Sequence, residues 1–465
     1  MSHYEKALKA KAELNTVSPS FCLAKWLQVS LHLTTGRTHS CYHPRSHKIP
    51  LKEIERGPSA LHNTEYKKKQ RKKMLEGTRP VECLYCWTVE DMPGDLLSDR
   101  HYRSAEDWAM ADMDIIRSMP WDADVKPRYL EVNFNQACQF KCTYCSPQFS
   151  SSWMAEIKQY GFYPTTFGYN RLEWFKKNDL IPYGPDEKNP YVESFWKWWP
   201  EIYPHLRIFR MTGGEPLIDP NTALVLDYVI HHPHPKLTIS LTSNLCPPDK
   251  NFQQFLTAVS ELLQKNAIEN FFLYASIDSV GKQAEYIRSG LDYQKFNENL
   301  ERYLEIPGTE ISFILTFNCL SAPGFRPYLE WLLNLRNKYS KGKQRISFDT
   351  PFLHHPSFLS LQVLTPEWKK SMQETVAWAE EIYRDRPEAL DGFTSMEIDK
   401  FKRVLQWTCA PVVDFDIQMN RANFFFFFTE HDRRRGTNFL KTFPEMKEFW
   451  NQCEQESRSF KQATV

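Results

Sequence analysis

The sequence predicts an α/β fold, and three observations carry that expectation. Six short runs rich in β-branched and aromatic residues, 129–134, 206–212, 237–242, 271–277, 311–317 and 346–348, are separated by helical stretches. This alternation builds a parallel barrel or a doubly wound sheet. Apolar side chains make up 42% of the 465 residues and charged ones 25%, which provides for a sizeable core and excludes a wholly disordered chain. Glycine is scarce, at 16 residues, while aromatics reach 14%, a balance suited to a large packed interior. Length alone allows two or three domains, or one large barrel with appendages.

Four zones follow in order. Residues 1–117 hold four cysteines and a basic run from Lys67 to Lys73, expected as the solvated face of a helix. Residues 128–350 carry the six runs, with a stretch rich in Tyr, Trp and Pro at 160–204 expected as an insertion between the first two strands. Residues 351–465 form a helical or mixed C-terminal extension, in which Phe-rich and Arg-rich segments adjoin between Asp414 and Met446. The first twenty residues lack an apolar signal core, and nowhere do 18 apolar residues run together, so a cytoplasmic protein that does not enter a membrane is expected. A net charge of +1 gives no global attraction to nucleic acid.

In a reducing compartment, closely spaced thiols point to metal ligation or catalysis rather than disulfides. Directly after the first predicted strand stand Cys138, Cys142 and Cys145, a Cys-x3-Cys-x2-Cys triplet. Soft thiolates so close together select zinc, copper(I) or an iron-sulfur cluster. Three ligands leave one iron of a four-iron cube open, whereas structural zinc is normally closed by four. Further polar positions fall at the ends of later strands: Gly213-Gly214-Glu215-Pro216, Ser243-Asn244, Ser276 and Asp278, then Arg288, then Asn318. Loops after parallel strands form one open face, where working residues gather.

The triplet, with Tyr144 just before its last cysteine, resembles the signature of the radical S-adenosylmethionine (SAM) superfamily, and Gly213 to Pro216 is similar to that family's GGEP motif. The resemblance covers residues 129–318 and implies a partial (β/α)6 TIM-like barrel. It implies that Cys138, Cys142 and Cys145 hold a 4Fe-4S cluster whose open iron binds SAM. Reductive cleavage of the cofactor then yields a 5'-deoxyadenosyl radical that abstracts hydrogen from a substrate. Tyr144, Gly213, Gly214, Glu215, Ser243, Asn244, Ser276, Asp278, Arg288 and Asn318 become the candidate SAM-binding residues. The implied role of Arg288 is a bidentate pair with the cofactor's carboxylate.

A second set of thiols lies upstream. Thirteen residues separate Cys22 from Gly36, four separate Gly36 from Cys41, and Cys83 and Cys86 form a Cys-x2-Cys pair. The first half is similar to the opening of SPASM and twitch modules, which carry auxiliary clusters, although here the module precedes the barrel. The resemblance implies an N-terminal domain in which Cys22, Cys41, Cys83 and Cys86 ligate a second 4Fe-4S cluster that relays an electron; structural zinc is the alternative. A flavodoxin or ferredoxin is the implied electron donor and a peptide or protein the implied substrate, with nucleic acid not indicated. RNA or a small metabolite as substrate is the rival within the enzyme class. A noncatalytic binding protein stapled by two metal sites is the rival outside it. Neither a phosphate-binding Gly-x-x-x-x-Gly-Lys loop nor a His-Glu-x-x-His zinc motif occurs.

Overall fold

The computed structural model describes residues 3–184, 187–410 and 415–464. Pro185 and Asp186 of the 160–204 stretch, and Asp414 at the start of the Phe-rich and Arg-rich segment, lie outside them. Among the described residues there are eleven strands: β1 (Gln28–His32), β2 (Arg37–His39), β3 (His47–Lys48), β4 (Tyr129–Asn133), β5 (Lys141–Cys142), β6 (Ile208–Thr212), β7 (His234–Ser243), β8 (Ile268–Ser276), β9 (Arg288–Ser289), β10 (Glu310–Ile314) and β11 (Ile346–Asp349).

Nine strands form one sheet in the order β11-β10-β8-β7-β6-β4-β1-β2-β3. The six predicted runs are β4, β6, β7, β8, β10 and β11, all paired in parallel. They lie side by side in chain order. A doubly wound sheet reverses its order at a switch point, so this half of the sheet is singly wound. Beside β4, strand β1 adds in parallel with Gln28 opposite Tyr129 and His32 opposite Asn133; β2 and β3 then continue antiparallel. The N-terminal zone therefore extends the same sheet.

The period-two alternation of each strand decides which face is which. Leu130, Val132, Phe209, Met211, Ile239, Leu241, Leu273 and Phe313 are buried on one face and belong to the main apolar core. The register aligns polar residues in rows on the other: Asn133 beside Thr212, Arg210 beside Ser240, and Tyr274 between Thr242 and Ser312. Arg210 lies 3.5 Å from Glu131 and over the Tyr274 ring at 4.3 Å.

The 160–204 stretch lies wholly within the crossover from β4 to β6. Its helix, Pro190–Ile202, has Pro in the first turn behind the Asn189 cap and buries Tyr191, Phe195, Trp198, Trp199 and Ile202. The C-terminal extension is helical, as expected; helix Ile417–Arg435 buries Phe424, Phe427 and Phe428. Among the described residues no helix is long and apolar enough to cross a membrane.

The basic run differs from expectation. Its helix, Glu65–Leu75, buries Lys67, Gln70, Arg71 and Met74, the i, i+3, i+4, i+7 face of a helix that packs. Lys67 donates to His62 at 2.7 Å and Arg71 to Asn63 at 2.9 Å. Only the face holding Lys69, Lys72 and Lys73 is exposed. Arg71→Ala should therefore lower stability by about 2 kcal/mol or more, since hydrogen bonds to a charged group are worth about 1.5–3 kcal/mol. Lys73→Ala should change it by less than about 0.5 kcal/mol. Urea unfolding of the two variants checks the contrast; equal effects would contradict the buried face.

Candidate functional site

The loop after β4 is fixed from outside at each cysteine. Cys142 sits in β5, paired antiparallel with β9 so that it faces Arg288. Ser152 donates to the Cys138 carbonyl at 2.9 Å, Trp153 Nε1 to that of Cys142 at 2.9 Å, and Tyr169 and Asn170 to that of Cys145 at 2.9 and 3.1 Å. Ser150 caps helix Ser151–Tyr160 and donates to the Phe140 carbonyl at 2.7 Å. Burial pushes all three thiols up, Cys145 to about 12, and the Arg288 charge opposes this at Cys142. The thiols thus keep their protons near neutrality, and a bound metal would have to displace them.

Gly213 and Gly214 let the end of β6 meet this loop. Gly213 has φ +112°, and a Cβ there would stand 2.3 Å from Asn133 Oδ1. At Gly214 a Cβ would stand 2.2 Å from the Ala137 carbonyl, which accepts the Glu215 N–H at 2.6 Å. The Glu215 carboxylate accepts from Ser243 Oγ and the Asn244 N–H, both at 2.7 Å, and from the Leu217 N–H at 3.1 Å. Burial pushes Glu215 up to about 7 against these bonds. Its place is a brace between the ends of β6 and β7.

Four buried polar atoms at this junction have no protein partner: Asn133 Oδ1, Gln136 Oε1, Gln139 Oε1 and Asn244 Nδ2. Gln139 and Asn244 are themselves joined, Nε2 to Oδ1, at 3.3 Å. A buried group left without a partner costs about 1–3 kcal/mol; others are spread through the described residues, at Thr34, Thr38, Thr143, Trp198 and Trp199 among them, and what sets these four apart is their place. Here they cluster between the cysteine loop and the ends of β4 and β7, which is where a polar ligand beside the thiols would satisfy them.

Asp278, Arg288 and Tyr144 form one buried network. Arg288 Nε lies 2.8 Å from Asp278 Oδ2, and Tyr144 donates to the same carboxylate at 2.7 Å. Arg288 also donates to Tyr144 Oη and, at 3.6 Å, to Cys142 Sγ. Burial raises Asp278 even with Arg288 opposing it. Where the sequence led us to expect a cofactor carboxylate, the guanidinium meets that of Asp278. Asn318 likewise turns inward, bonding the Thr316 carbonyl and the Leu320 N–H at 2.8 and 3.0 Å. Ser276 ends β8 half-buried on the polar face.

The N-terminal thiols Cys22, Cys41, Cys83 and Cys86 line a single pocket with Lys25, Trp87 and Arg100. Cys83 immediately precedes helix Leu84–Glu90 and Cys86 lies in its first turn. Gly36, at φ +61°, turns β1 into β2, and the Tyr191 ring fills the place of a Cβ. Burial pushes Cys41 and Cys86 up to about 12. Lys25 is buried and ion-paired with Glu82; burial opposes its charge, but Cys83, Glu82 and Cys41 raise it above its ordinary range. Arg100 pairs with Glu90 at 2.9 Å. By residue type alone four soft donors suit a thiolate-bound group, and the two buried cations beside them are already paired with Glu82 and Glu90. Among the described residues no group of three or more His, Cys, Asp or Glu side chains is placed to hold a metal ion.

Trp153, Tyr169, Asn170 and Arg435 escaped the sequence reading; they lie up to hundreds of residues from the triplet, with no fixed spacing to mark them. Gly214→Ala should cost about 2 kcal/mol or more, the scale of overpacking against immovable backbone, and should loosen the cysteine loop; urea unfolding with amide exchange over 138–145 measures both, and a parent-like variant would contradict the close approach. No protein-family model matches the chain, and no curated protein matches its sequence.

Proposed function

We propose that the chain is a radical SAM enzyme and that the six parallel strands form a partial (β/α)6 barrel. The observation that carries the reading is the cluster of four orphaned buried polar atoms against a three-cysteine loop, at the C-terminal ends of a singly wound parallel sheet. When bound, a 4Fe-4S cluster and SAM would supply one-electron cleavage of the cofactor and hydrogen abstraction from substrate. Cys138, Cys142 and Cys145 would hold the iron. Asn133, Gln136, Gln139 and Asn244 offer the free acceptors and donor for SAM, with Ser276 nearby on the sheet face. Gly213 and Gly214 give the approach, Glu215 and Ser243 brace it, and Arg288 with Asp278 and Tyr144 sets the position of Cys142. The polar sheet face would receive the substrate, for which a peptide or protein is our reading.

The thiols of Cys22, Cys41, Cys83 and Cys86 would hold an auxiliary cluster that accepts an electron as the substrate radical is oxidised. A flavodoxin or ferredoxin would supply the electron for SAM cleavage.

Anaerobically reconstituted protein given dithionite and SAM should release 5'-deoxyadenosine, measured by chromatography. Cys142→Ala should abolish release and lower bound iron from about eight atoms to about four. Full iron without nucleoside would favour a noncatalytic, metal-stapled protein. For the second site, changing Cys83 and Cys86 together to Ala should remove iron while SAM cleavage persists. Stoichiometric zinc in the parent at these cysteines would replace the relay by a structural site.

A further inference from the structure

The Arg-rich end of helix Ile417–Arg435 has no part in this chemistry, yet the fold returns it to the cysteine loop. Arg435 is the helix's last residue, before Gly436 in the left-handed conformation. Its side chain is 3% exposed. Nη1 donates to the Lys141 carbonyl at 2.8 Å, while Nε and Nη2 each reach a Glu156 carboxylate oxygen at 3.3 Å. The guanidinium lies 4.9 Å from the Trp153 ring, and Trp153 holds the Cys142 carbonyl. Glu156 also accepts from Lys141 Nζ and Tyr163 Oη, both at 2.5 Å. Burial pushes Glu156 up, but Arg435, Lys141 and Tyr163 outweigh it and hold the carboxyl at about 2. One turn back, Asp432 accepts from Tyr286 Oη at 2.8 Å, two residues before Arg288. A single helix end thus touches β5 and the last turn of the helix that leads into β9.

We propose that Arg435 is a positioning residue for the cysteine loop, and that the C-terminal extension completes the iron site by clamping β5 from behind. The proposal rests on the radical SAM reading. Ligands need outer partners to fix their orientation, and the loop's only regular structure is the two-residue strand β5. A planar fork can grip a carbonyl and a carboxylate together, which a lysine cannot.

The test compares full-length parent, Arg435→Gln, Arg435→Lys and Glu156→Gln after anaerobic reconstitution with iron and sulfide, and the same apo proteins by amide hydrogen exchange. Arg435→Gln should lose about half of the parent's iron, about four of about eight atoms. Its exchange over 138–145 should quicken roughly tenfold or more, the scale of losing bonds to a charged group, with the rest of the chain unchanged. Arg435→Lys should recover part of the iron, and Glu156→Gln should shift both readouts in the direction of Arg435→Gln. Full iron and parent-like exchange over 138–145 in Arg435→Gln would overturn the clamp and leave the radical SAM reading intact. Faster exchange throughout the chain would mark Arg435 as a general staple and also overturn it. A parent that takes up no iron would overturn the reading itself, and the proposal with it.

Discussion

The buried pair of Asp278 and Arg288 is the constraint on which the candidate site depends. Asp278 follows β8 and Arg288 begins β9, so their contact ties a strand end of the sheet to the two-stranded β5–β9 pair that carries Cys142. Tyr144 and the Thr316 N–H complete the carboxylate's bonds. A buried pair adds little net stability, but removing one partner strands a charge at a cost of about 3–5 kcal/mol. Such a pair specifies geometry more than it stabilises, and what it specifies here is the place of Cys142 relative to the strand ends.

The sheet sets the rest. Parallel sheets are usually covered on both faces and read as continuous apolar runs; in this chain the strands alternate. One face feeds the core, while the other presents Glu131, Arg210, Thr242 and Tyr274. A polar face backed by an apolar core, with thiols and orphaned amides at one end, separates the candidate site from the parts that provide stability. The glycines at 213 and 214 are where that separation is tightest, because backbone there meets backbone with no room for a methyl group.

Much of this was legible in the sequence. Six short β-rich runs separated by helical stretches became six strands, and thiols at short spacings marked two groups of candidates, since both signals are local. What was not legible depends on contacts across long separations. Lys67 and Arg71 read as part of a charged surface because composition hides which face of a helix packs. Arg288 read as a ligand for a cofactor because its partner, Asp278, is chosen by the fold. Arg435 was visible only as part of an Arg-rich segment, because its contact with Lys141 spans 294 residues and leaves no pattern in the chain. Glu215 read as a ligand contact, and its three bonds to protein appear only when the ends of β6 and β7 are side by side.

The central claim is that the loop of Cys138, Cys142 and Cys145 leaves one iron open to SAM. The most direct measurement is the low-temperature electron paramagnetic resonance spectrum of the reduced, reconstituted protein before and after SAM is added, in the parent and in Cys142→Ala. The account predicts that SAM changes the g values of one of two cluster signals in the parent, and that this signal is missing from the variant. Spectra that SAM leaves unchanged in a fully loaded parent would contradict it.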